Sequence, residues 1–250
     1  MTAKTSYLPG EPTWVDLGTP DMDRTVAFYT ALLGWTYGGG SEEFGGYGSF
    51  FLDGKQVAGV MPLMAPGMPA VWSTYISTDD ADKSTALVAE NGGQVIAAPM
   101  DVGDLGRLAV FADPVGAAIG VWQPKQMTGA DVIDEDGAFT WTELSTRDQA
   151  ASYAFYRAVF GWEPEITPDY TEFQLGSRSV AGCMDLPADL PSSVPSFWMP
   201  YFAVPDPAAT AQEAAALGGT VVVPHLEFPG GRCAIVHDPH GSAFGLLHLT

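Results

Sequence analysis

TWVDLGTPDMDRTVAFYTALLGW occupies residues 13–35, and TWTELSTRDQAASYAFYRAVFGW occupies residues 140–162. Aligned on Trp14 and Trp141, the two match without a gap at an offset of 127 residues. The shared pattern is T-W-x-[D/E]-L-x-T-x-D-x5-A-F-Y-x-A-x-x-G-W. It begins as a strand: Val15 and Leu17 fall on one face, Trp14 and Asp16 on the other. It continues as a helix. Phe28 with Leu32, and Tyr29 with Leu33, are four apart and give it an apolar side. Thr19 is expected as N-cap with Pro20 at the first helical position. In the second stretch Thr146 and Gln149 are expected to form a capping box. Gly34 and Gly161 stand where a C-terminal glycine belongs.

The repetition extends over the chain. VAGVM at 57–61 returns as VAGCM at 180–184, and WSTYIST from Trp72 is echoed by WMPYFAV from Trp198. NGGQV from Asn91 resembles LGGTV from Leu217, and GRLAVFADPVGAAIG from Gly106 returns as GRCAIVHDPHGSAFG from Gly231. The chain therefore reads as two copies of one unit, 1–125 and 126–250, divided near the polar, acidic stretch QPKQMTGADVIDEDG. Each copy reads as β-α-β-β-β twice, with glycine-rich turns between short strands and a hairpin at each Asp-Pro. The expected class is α+β, built from four such modules.

Composition narrows the function classes. Ten Lys and Arg against thirty Asp and Glu give a net charge of −20. No basic stripe exists to neutralise phosphates, so neither nucleic acid nor an anionic membrane surface is an expected partner. The charge serves solubility or attracts a cationic small molecule. No apolar run approaches the ~18 residues of a membrane span, and residues 1–12 lack the apolar stretch of a secretory signal. Two cysteines, Cys183 and Cys233, make no disulfide framework, which favours a reduced, cytoplasmic setting. GGGSEEFGGYG is acidic and joins no strand to a helix, so it reads as a hairpin and not a phosphate loop.

The strand before FY…LGW, the GG helix stop and the DP.G hairpin together resemble the vicinal oxygen chelate superfamily: the glyoxalase, bleomycin-resistance and extradiol-dioxygenase group, in its two-copy actinobacterial form. That resemblance implies two modules per open, cup-like barrel, and two cups in this chain. It also implies four metal ligands per cup, His, Gln or Glu. The corresponding positions fall on Trp14 and Trp141, on Ser73 and Pro200, on Gly120 and Gly245, and within 57–61 and 180–184, stretches that hold no His, Asp or Glu. Indole, glycine and proline cannot ligate a divalent ion, so neither a metal nor another cofactor is expected. His225, His237, His240 and His248 all lie in the last quarter. His237 and His248 would sit roughly 16 Å apart along their hairpin, and a surface or structural role is expected.

In place of ligands the cups carry Trp14 with Asp16, and Trp141 with Glu143. Tyr75 and Tyr201, just after Ser73 and Pro200, are expected on the same face. Aromatic area beside one acid suits a planar or cationic organic molecule, so Trp14, Asp16, Ser73, Tyr75, Trp141, Glu143 and Tyr201 are the expected ligand-binding residues. Asp16 and Glu143 are candidates for a general base. The competing reading is that both tryptophans plug vestigial cups, with Asp16 and Glu143 tied to backbone amides or to Arg107 and Arg232.

The expected function is metal-independent binding of an aromatic or hydrophobic metabolite, with natural products of antibiotic biosynthesis or resistance among the candidates. The alternative, implied by resemblance alone, is an enzyme: a glyoxalase-like lyase or isomerase, a dioxygenase, or a cofactor-free hydroxylase. With four modules in one chain, both monomer and homodimer are feasible.

Overall fold

In the computed structural model, which describes residues 4–168, 170–187 and 190–250, the quoted stretch is a strand followed by a helix in both copies. The first copy runs β1 (Pro12–Thr19), α1 (Met22–Leu33), β2 (Thr36–Ser41), β3 (Tyr47–Leu52), β4 (Lys55–Pro62), β5 (Val71–Ser77), α2 (Ala81–Glu90), β6 (Gln94–Val102), β7 (Gly106–Ala112) and β8 (Ala118–Pro124). The second repeats the order: β9 (Phe139–Thr146), α3 (Gln149–Phe160), β10 (Glu163–Ile166), β11 (Thr171–Leu175), β12 (Arg178–Asp185), β13 (Phe197–Ala203), α4 (Pro207–Ala216), β14 (Thr220–Phe228), β15 (Gly231–His237) and β16 (Ala243–Leu249). Each copy forms one open eight-stranded sheet, in the orders β2-β3-β4-β1-β5-β8-β7-β6 and β10-β11-β12-β9-β13-β16-β15-β14. The modules join where β1 runs antiparallel to β5, and β9 to β13.

Both helix starts lie two residues beyond the expected caps. Asp21, not Thr19, is the N-cap of α1 and accepts from Arg24 N at 3.0 Å; Asp148, not Thr146, caps α3 and accepts from Ala151 N at 3.0 Å. Thr19 is still in β1, paired with Pro62, and its hydroxyl meets Thr25 Oγ1 at 2.6 Å. A carboxylate satisfies the free N–H groups of a first turn as well as a hydroxyl does and also complements the helix dipole. Gly34 and Gly161 end the helices at φ 70° and 71°, as the sequence implies.

The two copies do not have separate cores. Val15, Leu17, Phe28 and Tyr29 of the first module pack with Phe202, Ala214, Val236 and Phe244 of the fourth. Ile76, Val88 and Phe111 of the second pack with Phe155, Tyr156, Trp162 and Phe173 of the third. The repeated FY and GW residues hold this interface reciprocally. Tyr29 donates to Asp238 Oδ2 at 3.2 Å and Tyr156 to Asp113 Oδ2 at 2.9 Å, and each aspartate also ties its own hairpin through Oδ1. Trp35 Nε1 donates to Gly137 O and Trp162 Nε1 to Gly10 O, the turns leading into the other copy's first strand. The helix-bearing faces of the sheets are thus buried against each other. The opposite faces, carrying Trp14 and Trp141, form two separate clusters.

Candidate ligand surfaces on the outer faces

The outer face of the first sheet is built across four strands. Asp16 on β1 lies opposite Gly59 on β4 and Ser73 on β5, Trp14 lies opposite Tyr75, and Tyr75 opposite Gly120 on β8. The glycines decide what fills this face. A Cβ at Gly59 would collide with the Tyr47 phenol, and one at Gly120 with the Tyr75 ring. Without side chains there, both phenols lie across the sheet toward Asp16. Trp14 Nε1 donates to Tyr47 Oη at 2.8 Å, and Tyr47 donates onward to Asp16 Oδ2 at 3.3 Å. The second sheet repeats the chain of contacts. Trp141 Nε1 donates to Tyr170 Oη at 3.0 Å, Tyr170 to Glu143 Oε2 at 2.7 Å, and Tyr201 to Glu143 Oε1 at 2.9 Å. Gly182 and Gly245 make the corresponding room.

Each carboxyl is therefore buried beneath aromatic rings and held by phenols. Burial pushes the Asp16 carboxyl up to about 6; the hydroxyls of Tyr75, Tyr47 and Ser73 pull it back only in part. Burial raises Glu143 too, against the opposing pull of Tyr170 and Tyr201. The phenols of Tyr47, Tyr75 and Tyr201 are driven well upward by burial first and then by the adjacent carboxylate. They stay protonated and serve as donors.

Of the expected ligand-binding residues, Trp14, Asp16, Ser73 and Tyr75 converge on one outer face, and Trp141, Glu143 and Tyr201 on the other. Pro200 is misplaced: Met199 lies opposite Glu143, as Ser73 lies opposite Asp16, while Pro200 faces Thr142. Side chains alternate along a strand, so Met199, two residues before Tyr201, shares its face and Pro200 takes the other. The expected arginine partners are also elsewhere. Arg107 pairs with Asp82 and Asp101, and Arg232 donates to Pro205 O at 3.0 Å. Tyr47 and Tyr170 escaped the sequence reading. Their signal is Y-x-x-F, repeated at the 123-residue offset that also relates the two VAG motifs.

The face is closed at its base. Trp14 is 4%, Asp16 5% and Tyr75 8% exposed, while Trp141 and Tyr170 are half-buried. A ligand would thus meet ring surface and displaceable phenol–carboxylate bonds, not an open shaft. The donors do not suit a divalent ion either. Each face offers one carboxylate already held by hydroxyls, and among the described residues no three His, Cys, Asp or Glu side chains cluster for a metal. His237 lies opposite Ala243 and His248 opposite Arg232, well separated along the hairpin. Cys183 and Cys233 are free and buried. No helix among the described residues is long and apolar enough to cross a membrane.

Comparison with known proteins places this geometry. Residues 12–121 match the Glyoxalase/Bleomycin resistance protein/Dioxygenase superfamily, and residues 141–247 match a Glyoxalase-like domain. The chain is 40% identical to CFP32 of Mycobacterium tuberculosis, which carries a glyoxylase name, over 99% of this chain and 98% of that protein. The chain belongs to the glyoxalase/bleomycin-resistance/dioxygenase superfamily. It is also 42% identical to the anthracycline biosynthesis protein DnrV of Streptomyces peucetius, over 98% of this chain and 95% of that one. Among solved structures, the Mn(II)-bound glyoxalase of Novosphingobium aromaticivorans superposes with a TM-score of 0.67 at 14% identity, covering 95% of this chain and 81% of that one. The 2,3-dioxygenase LapB of Pseudomonas sp. KL28 gives 0.66 at 14%, covering 99% and 93%. These likenesses to solved structures are of fold, and the chain's relatives include two Streptomyces proteins named for anthracycline biosynthesis.

Proposed function

We propose that the chain is a metal-independent member of this superfamily that holds an aromatic or hydrophobic small molecule, of natural-product type, on its outer sheet faces. The observation that carries this reading is the tryptophan–tyrosine–carboxylate–tyrosine relay, kept in both copies on the face where metal-bearing relatives would need ligands. Indole and phenol rings supply stacking area, and the acid supplies a charge partner or acceptor. The net charge of −20 favours a cationic ligand electrostatically. The name of DnrV, 42% identical, points the same way, toward an aromatic natural product.

Isothermal titration against a panel of polycyclic aromatic compounds, cationic and neutral, tests this. Binding is expected for the wild type and is expected to be weakened by replacing the outer-face tryptophan of the copy that holds the ligand, Trp14→Ala or Trp141→Ala, each measured separately. Absence of heat with every compound rejects the ligand reading. Elemental analysis after dialysis checks the metal-free part: a stoichiometric transition ion would overturn it. The enzymatic reading rests on the raised carboxyls of Asp16 and Glu143, which are suited to moving a proton. It requires product formation, seen by mass spectrometry, that Glu143→Gln or Asp16→Asn removes.

A further inference from the structure

The copies differ at one end of their sheets. Tyr75 pairs with Gly120 and Tyr201 with Gly245, so Trp122 and Leu247, each two residues further on, hold equivalent places. Thr13 and Thr140 are equivalent too, each just before its tryptophan. In the first copy the segment joining the copies covers this end. Trp122 Nε1 donates to Met127 O at 2.8 Å, Thr13 Oγ1 donates to Thr128 O at 2.9 Å, and Ala130 N donates to Thr13 O at 2.9 Å. Met127, Ala130 and Ile133 pack in the same cluster as Trp14, Tyr75 and Trp122. Gly129 permits the approach: its φ is 138°, and a Cβ there would collide with Thr13 Oγ1.

At the equivalent end of the second copy there is a half-open cavity of about 210 Å³, bordered by Thr140, Ala203, Leu247 and His248 among others, with the exposed Asp134 and Asp136 at its mouth. Leu247 also belongs to the outer-face cluster with Met199, Tyr201 and Cys233, so it forms a wall common to both. We propose that this cavity is a ligand site for the amine-bearing part of an amphipathic molecule, so that the chain takes one ligand, in its second copy. The inference rests on the outer faces being ligand surfaces, and it names which face and what chemistry. Its volume equals roughly seven waters at ~30 Å³ each, room for one or two rings or a substituent. Leu247 and Ala203 supply apolar wall. Asp134 and Asp136 supply two carboxylates at the rim, and the Thr140 hydroxyl, donating to Asp134 Oδ1 at 2.9 Å, orients one of them. No lysine or arginine borders the cavity, although Lys4 and Arg178 act on Asp134 from outside it. In the first copy the chain itself covers this end of the sheet.

The test uses the whole chain and 9-aminoacridine, a planar aromatic cation, with acridine as its uncharged counterpart at neutral pH. Fluorescence titration is expected to show one equivalent bound per chain and acridine bound about tenfold more weakly or less. Ala203→Phe, which fills the cavity, is expected to lower affinity by about tenfold. Leu249→Trp, at an exposed position lining the same cavity, serves if Ala203→Phe does not fold. Gly129→Leu, by forcing the joining segment off Thr13, is expected to add a second equivalent. Two equivalents in the wild type, unchanged affinity in the filled variants, or no saturable binding of 9-aminoacridine by the wild type each overturn the assignment, whereas the outer-face reading falls only when the whole panel of aromatic compounds fails to bind.

Discussion

Asp16 shows how one residue can weigh against the fold that contains it. Its carboxyl is 5% exposed and titrates at about 6, against ~3.9 in an unfolded chain. An acid whose folded pKa lies above its unfolded value holds its proton more tightly in the folded state. Stability from this site is therefore full below about pH 4 and declines as pH rises toward about 6, by on the order of 3 kcal/mol. Asp16→Asn removes the titration and leaves Tyr47 and Tyr75 an amide oxygen to donate to. Urea denaturation from pH 4 to 7.5 is expected to show the variant gaining on the wild type through that window, ending more stable by roughly 1–3 kcal/mol. A difference that does not vary with pH would contradict the buried placement of Asp16. Glu143 should shift in the same direction.

At the scale of elements, the last strand of each copy is shaped by a glycine. Gly245 on β16 leaves the space that the Tyr201 ring fills, and that ring delivers its hydroxyl to Glu143. Gly245→Ala is expected to cost about 1–3 kcal/mol, the usual scale of overpacking, and to move Tyr201 off Glu143. Thermal denaturation with near-ultraviolet circular dichroism reads both. Unchanged stability and spectrum would mean that the ring does not lie over Gly245. These elements were only partly legible. The helices were found from their apolar spacing and C-terminal glycines. Their caps, Asp21 and Asp148, stand in the shared pattern two residues beyond threonines that remain paired in their strands. Tyr47 and Tyr170 lie outside the ungapped stretch, beyond a four-residue length difference between copies, and alternation alone does not reveal a ring lying over a distant glycine.

For the whole molecule, the repeat that marks the copies also locks them together. Tyr29, Trp35, Tyr156 and Trp162 each bond across the boundary, and both apolar cores draw on both copies. Cutting the chain at the proposed boundary, between residues 125 and 126, should leave two halves with exposed apolar helix faces. Expressed separately, each is expected to lack a cooperative unfolding transition, and mixing them should restore one. Two halves that each unfold cooperatively and ignore each other would show that the shared cores contribute little.

The sequence alone determined the duplication, the α+β class, the superfamily and the poverty of metal donors, because these depend on residue type and spacing along the chain. Tertiary structure decided the rest. Register set which residues meet across strands, Met199 with Glu143 and Tyr201 with Trp141. Glycines on neighbouring strands decided where the tyrosines lie, and packing between copies made two domains share two cores. The reason is physical: periodicity encodes which face a residue takes within its own element, whereas pairing register, ring placement and the covering of one sheet end by Met127–Ala130 depend on atoms far apart in sequence.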